Sequence, residues 1–261
     1  MKKAFHPIRD ERITVQKYLS EFGSKLGPNG IPRERPRSRC PACLDPMKIV
    51  GEDRPPHDQV FSHIGNMNSA PCPLRNRADH KYAFLQEAPQ DSEAGKMLHQ
   101  SFFKNWEKHY VKMRKLLDGF MNIEDFIALI HEADRTRLWN RPRLSEWEIP
   151  YIFLVWKEWS PVSNKKTGKV LRKEWIRFWF DSRVRTIDDI WIRTQGTFRI
   201  IKAWYTPPKH GVVPNLAHLI DTDGVAIDPG FHTFSHGKLH DLVFKKMSEA
   251  FPKKIPPGPS P

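Results

Sequence analysis

The chain has 261 residues, with 43 Lys or Arg against 30 Asp or Glu, a formal net charge of +13 and a pI near 9.7. Such a balance suits a polyanionic partner and says nothing about fold. The opening stretch MKKAFHPIRDERITVQKYL holds no apolar run of signal-peptide length, and YIFLVW at 151–156 is far shorter than the ~20 residues that span a bilayer, so a cytoplasmic chain without a membrane segment is expected.

In chain order, residues 1–39 read as a basic lead-in. Within it GSKLGPNGIPRERPRSR at 23–39, rich in Gly, Pro and Arg and poor in apolar residues, is expected to be poorly structured. All three cysteines then fall between 40 and 72. An odd number leaves one thiol over in any intramolecular pairing, and in a reducing compartment clustered Cys and His indicate metal more often than disulfide.

Cys40 and Cys43 have the C-x2-C spacing that directs two thiolates at one ion, and Pro41 suits the turn between them. Cys72 supplies a third ligand. For the fourth, His57, His63 and His80 are candidates. His63 is preferred because VFSHI can form a short strand returning to the knuckle, whereas His57 sits in the looser RPPHD. Residues 40–90 are therefore expected to form a module held by one structural zinc on Cys40, Cys43, His63 and Cys72. A closed four-ligand site leaves no position for a reactive water, so its job is folding.

Residues 91–251 read as an α+β body. From Asp91, Leu98, Phe102, Trp106, Tyr110, Met113 and Leu117 recur at steps of three and four, which predicts one helix capped by Ser92 and closed by Gly119. A second helix is predicted from Asn122, with Glu124 and Asp125 at its positive end and Ile123, Phe126, Ile127 and Ile130 as its buried stripe. LSEWEIPYIFLVWKEW leans to a short helix with Pro150 in its first turn. Residues 170–181 and 197–206 carry the aromatic and β-branched residues of strands, with TIDDIW at 186–191 as a short capped helix between them. The tail from Pro252 to Pro261 is Pro-rich and expected to be disordered. The overall expectation is α+β: a small N-terminal zinc-knuckle module, a helical segment, then a small antiparallel sheet.

The run from CPAC through FSH at 61–63, Cys72 and the His80-Lys81 pair to DSEAGKMLH at 91–99 resembles the N-terminal zinc-finger region of CoiA-like competence proteins, over residues 38–105. That resemblance implies a finger followed by a nuclease core of restriction-endonuclease type. Such a core needs an acidic residue on one strand and an E-x-K or Q-x-K pair on the next to hold Mg²⁺. After Leu117 no such pair lies on a convincing strand; Glu174 and Asp181 are the nearest approach, and Glu93 and His99 the candidates on the preceding helix.

Weaker patterns remain. Asp221, Asp223 and Asp228 in DTDGVAID could hold a hard cation, but a Gly-centred turn between two short strands explains them as well. His232, His236 and His240 recur at steps of four, although Gly237 and Pro229-Gly230 oppose a regular helix. His63, Asn66, Asn68, Asn76 and His80 supply the residue types of an HNH nuclease without its second C-x2-C. Lys165, Lys166, Lys169, Arg172, Lys173, Arg177, Arg183 and Arg185, interleaved with Trp175, Phe178 and Trp179, form a basic-aromatic segment suited to nucleic acid, DNA or RNA. If the rings are core, the charges are expected on the solvent face. The functional expectation is a zinc-containing nucleic-acid-binding or nucleic-acid-associated factor; a metal-dependent nuclease and a zinc-stabilised protein-interaction module are the alternatives.

Overall fold

A computed structural model describes residues 1–9, 11–64, 91–164, 167–180, 200–208, 213–215, 218–225, 227–230, 233, 237 and 239–255. In chain order these contain β1 (Lys3–Phe5), β2 (Arg12–Thr14), α1 (Val15–Phe22), β3 (Met47–Val50), β4 (Val60–His63), α2 (Ser92–Lys104), α3 (Trp106–Leu116), α4 (Ile123–Arg135), α5 (Ile149–Trp156), β5 (Val162–Ser163), β6 (Val170–Arg172), β7 (Trp175–Phe180), β8 (Ile200–Tyr205), β9 (Leu219–Gly224) and α6 (Asp241–Ala250). The fold is α+β, and every described strand pairing is antiparallel. The chain divides into two units, Met1–Ala78 with Glu174–Val225 and Asp79–Lys173 with Ala226–Pro261. The lead-in thus belongs with the cysteine module, and the segment from Glu174 to Val225 with them, rather than with the helical body that follows the cysteines in sequence.

In the first unit, β1 pairs with β2, and Thr14 then caps α1 by accepting the Lys17 N–H at 3.2 Å. The helix stops at Gly23, whose φ of +75° a glycine adopts without strain and whose N–H bonds Leu19 O. Isolated bridges from Phe5 to Arg39 and from Arg39 to Pro46 lead the chain into the β3–β4 hairpin. Ala4, Ile13, Val15, Tyr18, Met47 and Phe61 are buried here. Residues 23–39 depart from expectation. Leu26 bridges Pro32, the Arg33 N–H bonds Lys25 O, and a turn closes from the Gly30 N–H to Gly27 O, so local hydrogen bonds order a stretch with almost no buried apolar side chain.

The unit's other sheet runs in the order β7-β8-β9. DTDG lies within β9 and not in a turn, because Asp221, Thr222 and Asp223 pair with Trp204, Ala203 and Lys202. Asp221 is 2.8 Å from the Lys3 Nζ and 3.8 Å from Arg12, which gives its carboxylate a use other than cation binding.

In the second unit, Phe102, Phe126, Phe153 and Trp139 form an aromatic core between α2, α4, α5 and the 3-10 turn at Leu138–Asn140. The single helix predicted from Asp91 is two. Asp91, not Ser92, caps α2 by accepting the Ala94 N–H, and at Asn105 the backbone leaves helical geometry while its side-chain amide turns back on Ser101 O. Ser101 and His109, four residues either side of Asn105, both donate to Glu146, a polar seam that the apolar periodicity concealed. Helix α4 begins at Ile123 with Asn122 as its N-cap residue, and buries Ile123, Phe126 and Ile130 as expected but Leu129 rather than half-buried Ile127; Pro150 sits in the first turn of α5, and the Gly119 N–H bonds Arg114 O just beyond α3. The first residues of the tail are ordered, against expectation: Ile255 is buried and its N–H bonds Phe251 O. Residues 186–191 and 256–261 lie outside the described residues.

Gly95 is the tightest point of this unit: a Cβ there would lie 2.2 Å from Asn140 Oδ1 and 2.9 Å from Asn140 Cα. On an open helix face Gly95→Ala would stabilise by about 0.5–1 kcal/mol. Here overpacking is expected to reverse the sign and cost about 1–3 kcal/mol in urea unfolding; a stabilised variant would refute the contact. A second expectation concerns acid. Burial alone would raise the Glu146 pKa, but hydrogen bonds from His109, Ser101 and Asn105 and the nearby His109 charge outweigh it and hold the group at about 2 against an ordinary 4.5. Its contribution is therefore complete above pH ~4.5 and lost as pH falls towards ~2. Glu146→Gln should flatten the stability profile across that window.

Candidate metal centre

Two neighbouring pieces of backbone bring the cluster together. The Arg39–Pro46 bridge closes a loop whose Cys40 N–H bonds Asp45 O at 2.8 Å and whose Leu44 N–H returns to Cys40 O at 2.9 Å. Leu44 takes a φ of +62°, a left-handed position that costs a branched residue about 1 kcal/mol or more, so the turn is held against local preference. Within it the Ala42 N–H points at Cys40 Sγ at 3.4 Å, a donor placed for a thiolate. From the other side, β4 alternates: Phe61 and His63 are buried while Val60 and Ser62 are half-buried, and the register sets His63 opposite Met47, close to the loop.

The result is one group in which the Cys40, Cys43 and His63 ligand atoms all lie within 4.8 Å of one another. His63 Nε2 is 3.2 Å from Cys43 Sγ, and its Nδ1 is buried with no partner among the described residues. Nε2 is therefore the ring nitrogen that faces the thiols and would ligate an ion, and Nδ1 would then carry the ring's N–H. The residue types also fit: two soft thiolates and an imidazole suit a tetrahedral zinc better than an oxygen-seeking cation. Sequence reasoning missed Asp45, whose carboxylate accepts from the Cys43 thiol at 3.2 Å. Its only signal was an acidic residue two positions past the second cysteine.

The alternative ligands separate cleanly where they are described. His57 is 79% exposed and lies beside Asp58, away from the cluster. Cys72 and His80 lie outside the described residues, as do Asn66, Asn68 and Asn76. Of the other patterns, Glu93 pairs with Lys96 on the surface, and His99 faces Asp134 at 3.3 Å. Asp228 pairs with Lys112, and His240 caps α6. Asp181, His232 and His236 are not described. Among the described residues no second group of three close His, Cys, Asp or Glu ligands occurs.

The basic-aromatic segment needs correction. Arg172 and Arg177, read as solvent-facing, are 5% and 3% exposed. Arg172 donates to four backbone carbonyls, those of Leu117, Phe120, Trp159 and Ser160. Arg177 lies over the Tyr205 ring and donates to Pro214 O and the Tyr205 hydroxyl. For Arg177 the period-two argument failed because residues 176–180 are buried on both faces of β7, so alternation no longer sorts charge from core; Arg172, at the end of β6, is buried by its carbonyl partners instead. Lys169 and Lys173 are exposed as expected. Lys165, Lys166, Arg183 and Arg185 lie outside the described residues. No described helix is long and apolar enough to cross a membrane.

Comparison with family models, curated proteins and solved structures finds no match to this chain. Assignment rests on the residues themselves. Arg172→Met should leave buried carbonyls unpaired and cost about 2–4 kcal/mol in chemical unfolding, whereas Lys173→Gln should stay within about 0.5 kcal/mol. Equal small effects would return Arg172 to the surface.

Proposed function

We propose that this chain is a zinc-stabilised nucleic-acid-binding factor. The observation that carries the metal half is the convergence of Cys40, Cys43 and His63 on one point, from a strained turn and a strand end. Cys72 is the proposed fourth ligand, completing a Cys3His set in which the ion holds the loop to the hairpin and has no open position. When bound, zinc supplies folding free energy; Cys40 and Cys43 bind as thiolates, with the Ala42 N–H offsetting charge on Cys40. The partner half rests on the net charge of +13 and on exposed cations such as Lys169 and Lys173.

Purified protein should carry about one zinc per chain by elemental analysis. Cys43→Ser and His63→Ala should lose it, and His57→Ala should keep it. No zinc, or full retention in Cys43→Ser, would overturn the metal assignment. Labelled single- and double-stranded DNA and RNA, titrated with and without Mg²⁺, should bind without being cut. Mg²⁺-dependent cleavage would favour the nuclease that the CoiA-like resemblance implies, and absence of binding would favour a protein partner.

A further inference from the structure

The ordered loop between α1 and the metal cluster carries more cations than its own anchoring uses. Glu52 is the anchor: Arg35 meets it at 2.5 Å, and its other carboxylate oxygen accepts the Lys25 N–H at 2.8 Å. Arg35 also donates to Gly23 O, and the Tyr18 hydroxyl donates to Pro36 O at 2.6 Å. At the far end Arg39 donates to the carbonyls of His6 and Arg9, directly before Cys40. Two of the four arginines at 33, 35, 37 and 39 thus hold the segment down. Lys25, Arg33 and Arg37 are exposed, with the Arg33 guanidinium lying over Gly23, and make no ion pair among the described residues.

A second feature accompanies them. Leu26 and Ile31 are 52% and 66% exposed although the backbone around them is fixed, with the Gly27 N–H bonded to Ile31 O and Pro28 in the turn. Two aliphatic side chains held out of the core on the same ordered loop as three exposed cations suit a partner that is anionic and has an apolar interior.

We infer that residues 25–37 form an anchored arm that grips the sugar-phosphate backbone of a nucleic acid. Lys25, Arg33 and Arg37 contact phosphates, and Leu26 and Ile31 pack against the exposed edge of sugars or bases. This rests on the nucleic-acid reading above and moves its contact surface from the 165–185 segment to the metal-bearing unit. A bilayer fits less well: the arm has no Trp, Tyr or Phe to seat at a lipid interface, and two aliphatics bury little area. Guanidinium forks match phosphate oxygens in geometry as well as charge. Cys40 lies three residues beyond the arm, so the cysteine cluster stands next to one of its two ends.

The test compares the full-length zinc-loaded protein with Lys25→Gln/Arg33→Gln/Arg37→Gln and with a charge-matched control, Lys104→Gln/Lys115→Gln/Lys253→Gln, whose residues are exposed in the other unit. Binding to a labelled DNA duplex and to a single-stranded RNA is followed across salt concentration. With zinc content and thermal midpoint unchanged, the arm variant should lose affinity about tenfold or more, and its slope of log K against log salt should flatten by about 2–3 units, near 0.9 per phosphate lost. The control should change little. Leu26→Ser/Ile31→Ser should weaken binding without changing the slope. Arm and control variants that behave alike would overturn the arm while leaving nucleic-acid binding in place; a wild-type protein that binds neither nucleic acid would remove both. Association with phosphatidylserine-containing vesicles that is lost in Leu26→Ser/Ile31→Ser, with nucleic-acid binding unaffected, would reassign the arm to a membrane surface.

Discussion

Two thiols and an imidazole lie within 4.8 Å of one another where the cysteine loop meets the β3–β4 hairpin, and the zinc proposed there is the constraint on which residues 1–64 would depend. Within residues 1–64 the short strands and single eight-residue helix bury few large side chains, chiefly Tyr18, Met47 and Phe61, whereas the β7-β8-β9 sheet of the same unit has buried rings of its own in Phe178, Trp179 and Tyr205. Folded domains are stable by only about 5–15 kcal/mol, and a structural zinc contributes apparent binding free energy of about 10–16 kcal/mol. An ion on this cluster would therefore decide whether the loop, the hairpin and the bridges through Arg39 persist. The left-handed Leu44 fits that picture, since local strain survives where a stronger interaction over-determines the backbone.

Cations that look alike in sequence do different work here, and burial sorts them. Arg172 stitches four carbonyls together, Arg177 lies on Tyr205, and the Lys202 ammonium sits 4.7 Å from the Trp204 ring centroid. Each is part of the interior. Arg35 and Arg39 hold a loop in place, while Arg33 and Arg37 on the same stretch remain at the surface. A net charge of +13 therefore overstates the charge available to a partner, and shows why position along the chain is a poor guide to where a partner binds.

What could be read in advance follows from how local each signal is. Helix α4 and the Pro150 start of α5 depend on neighbouring residues, and both were legible. So were the strands at β7 and β8, and the C-x2-C with a histidine on a returning strand, because period and spacing encode them. The break at Asn105 was hidden because the polar seam beside it closes on Glu146, 41 residues away, and the apolar stripe runs straight through it. The order of residues 25–33 was hidden for a related reason: backbone hydrogen bonds and Glu52 hold it, and neither leaves a hydrophobic pattern. Alternation misplaced Arg177 because it presumes a wet face that β7 lacks, and Arg172, at the end of β6, because the carbonyls that hold it lie 12–55 residues away in the chain.

X-ray absorption at the zinc edge of the purified protein tests the central claim most directly, because it counts ligands by element whatever the surrounding chain does. Three sulfur scatterers at about 2.3 Å and one nitrogen at about 2.0–2.1 Å are predicted, with one sulfur lost in Cys72→Ser and the nitrogen shell lost in His63→Ala. A first shell of oxygen and nitrogen alone, or one unchanged by both substitutions, would contradict it.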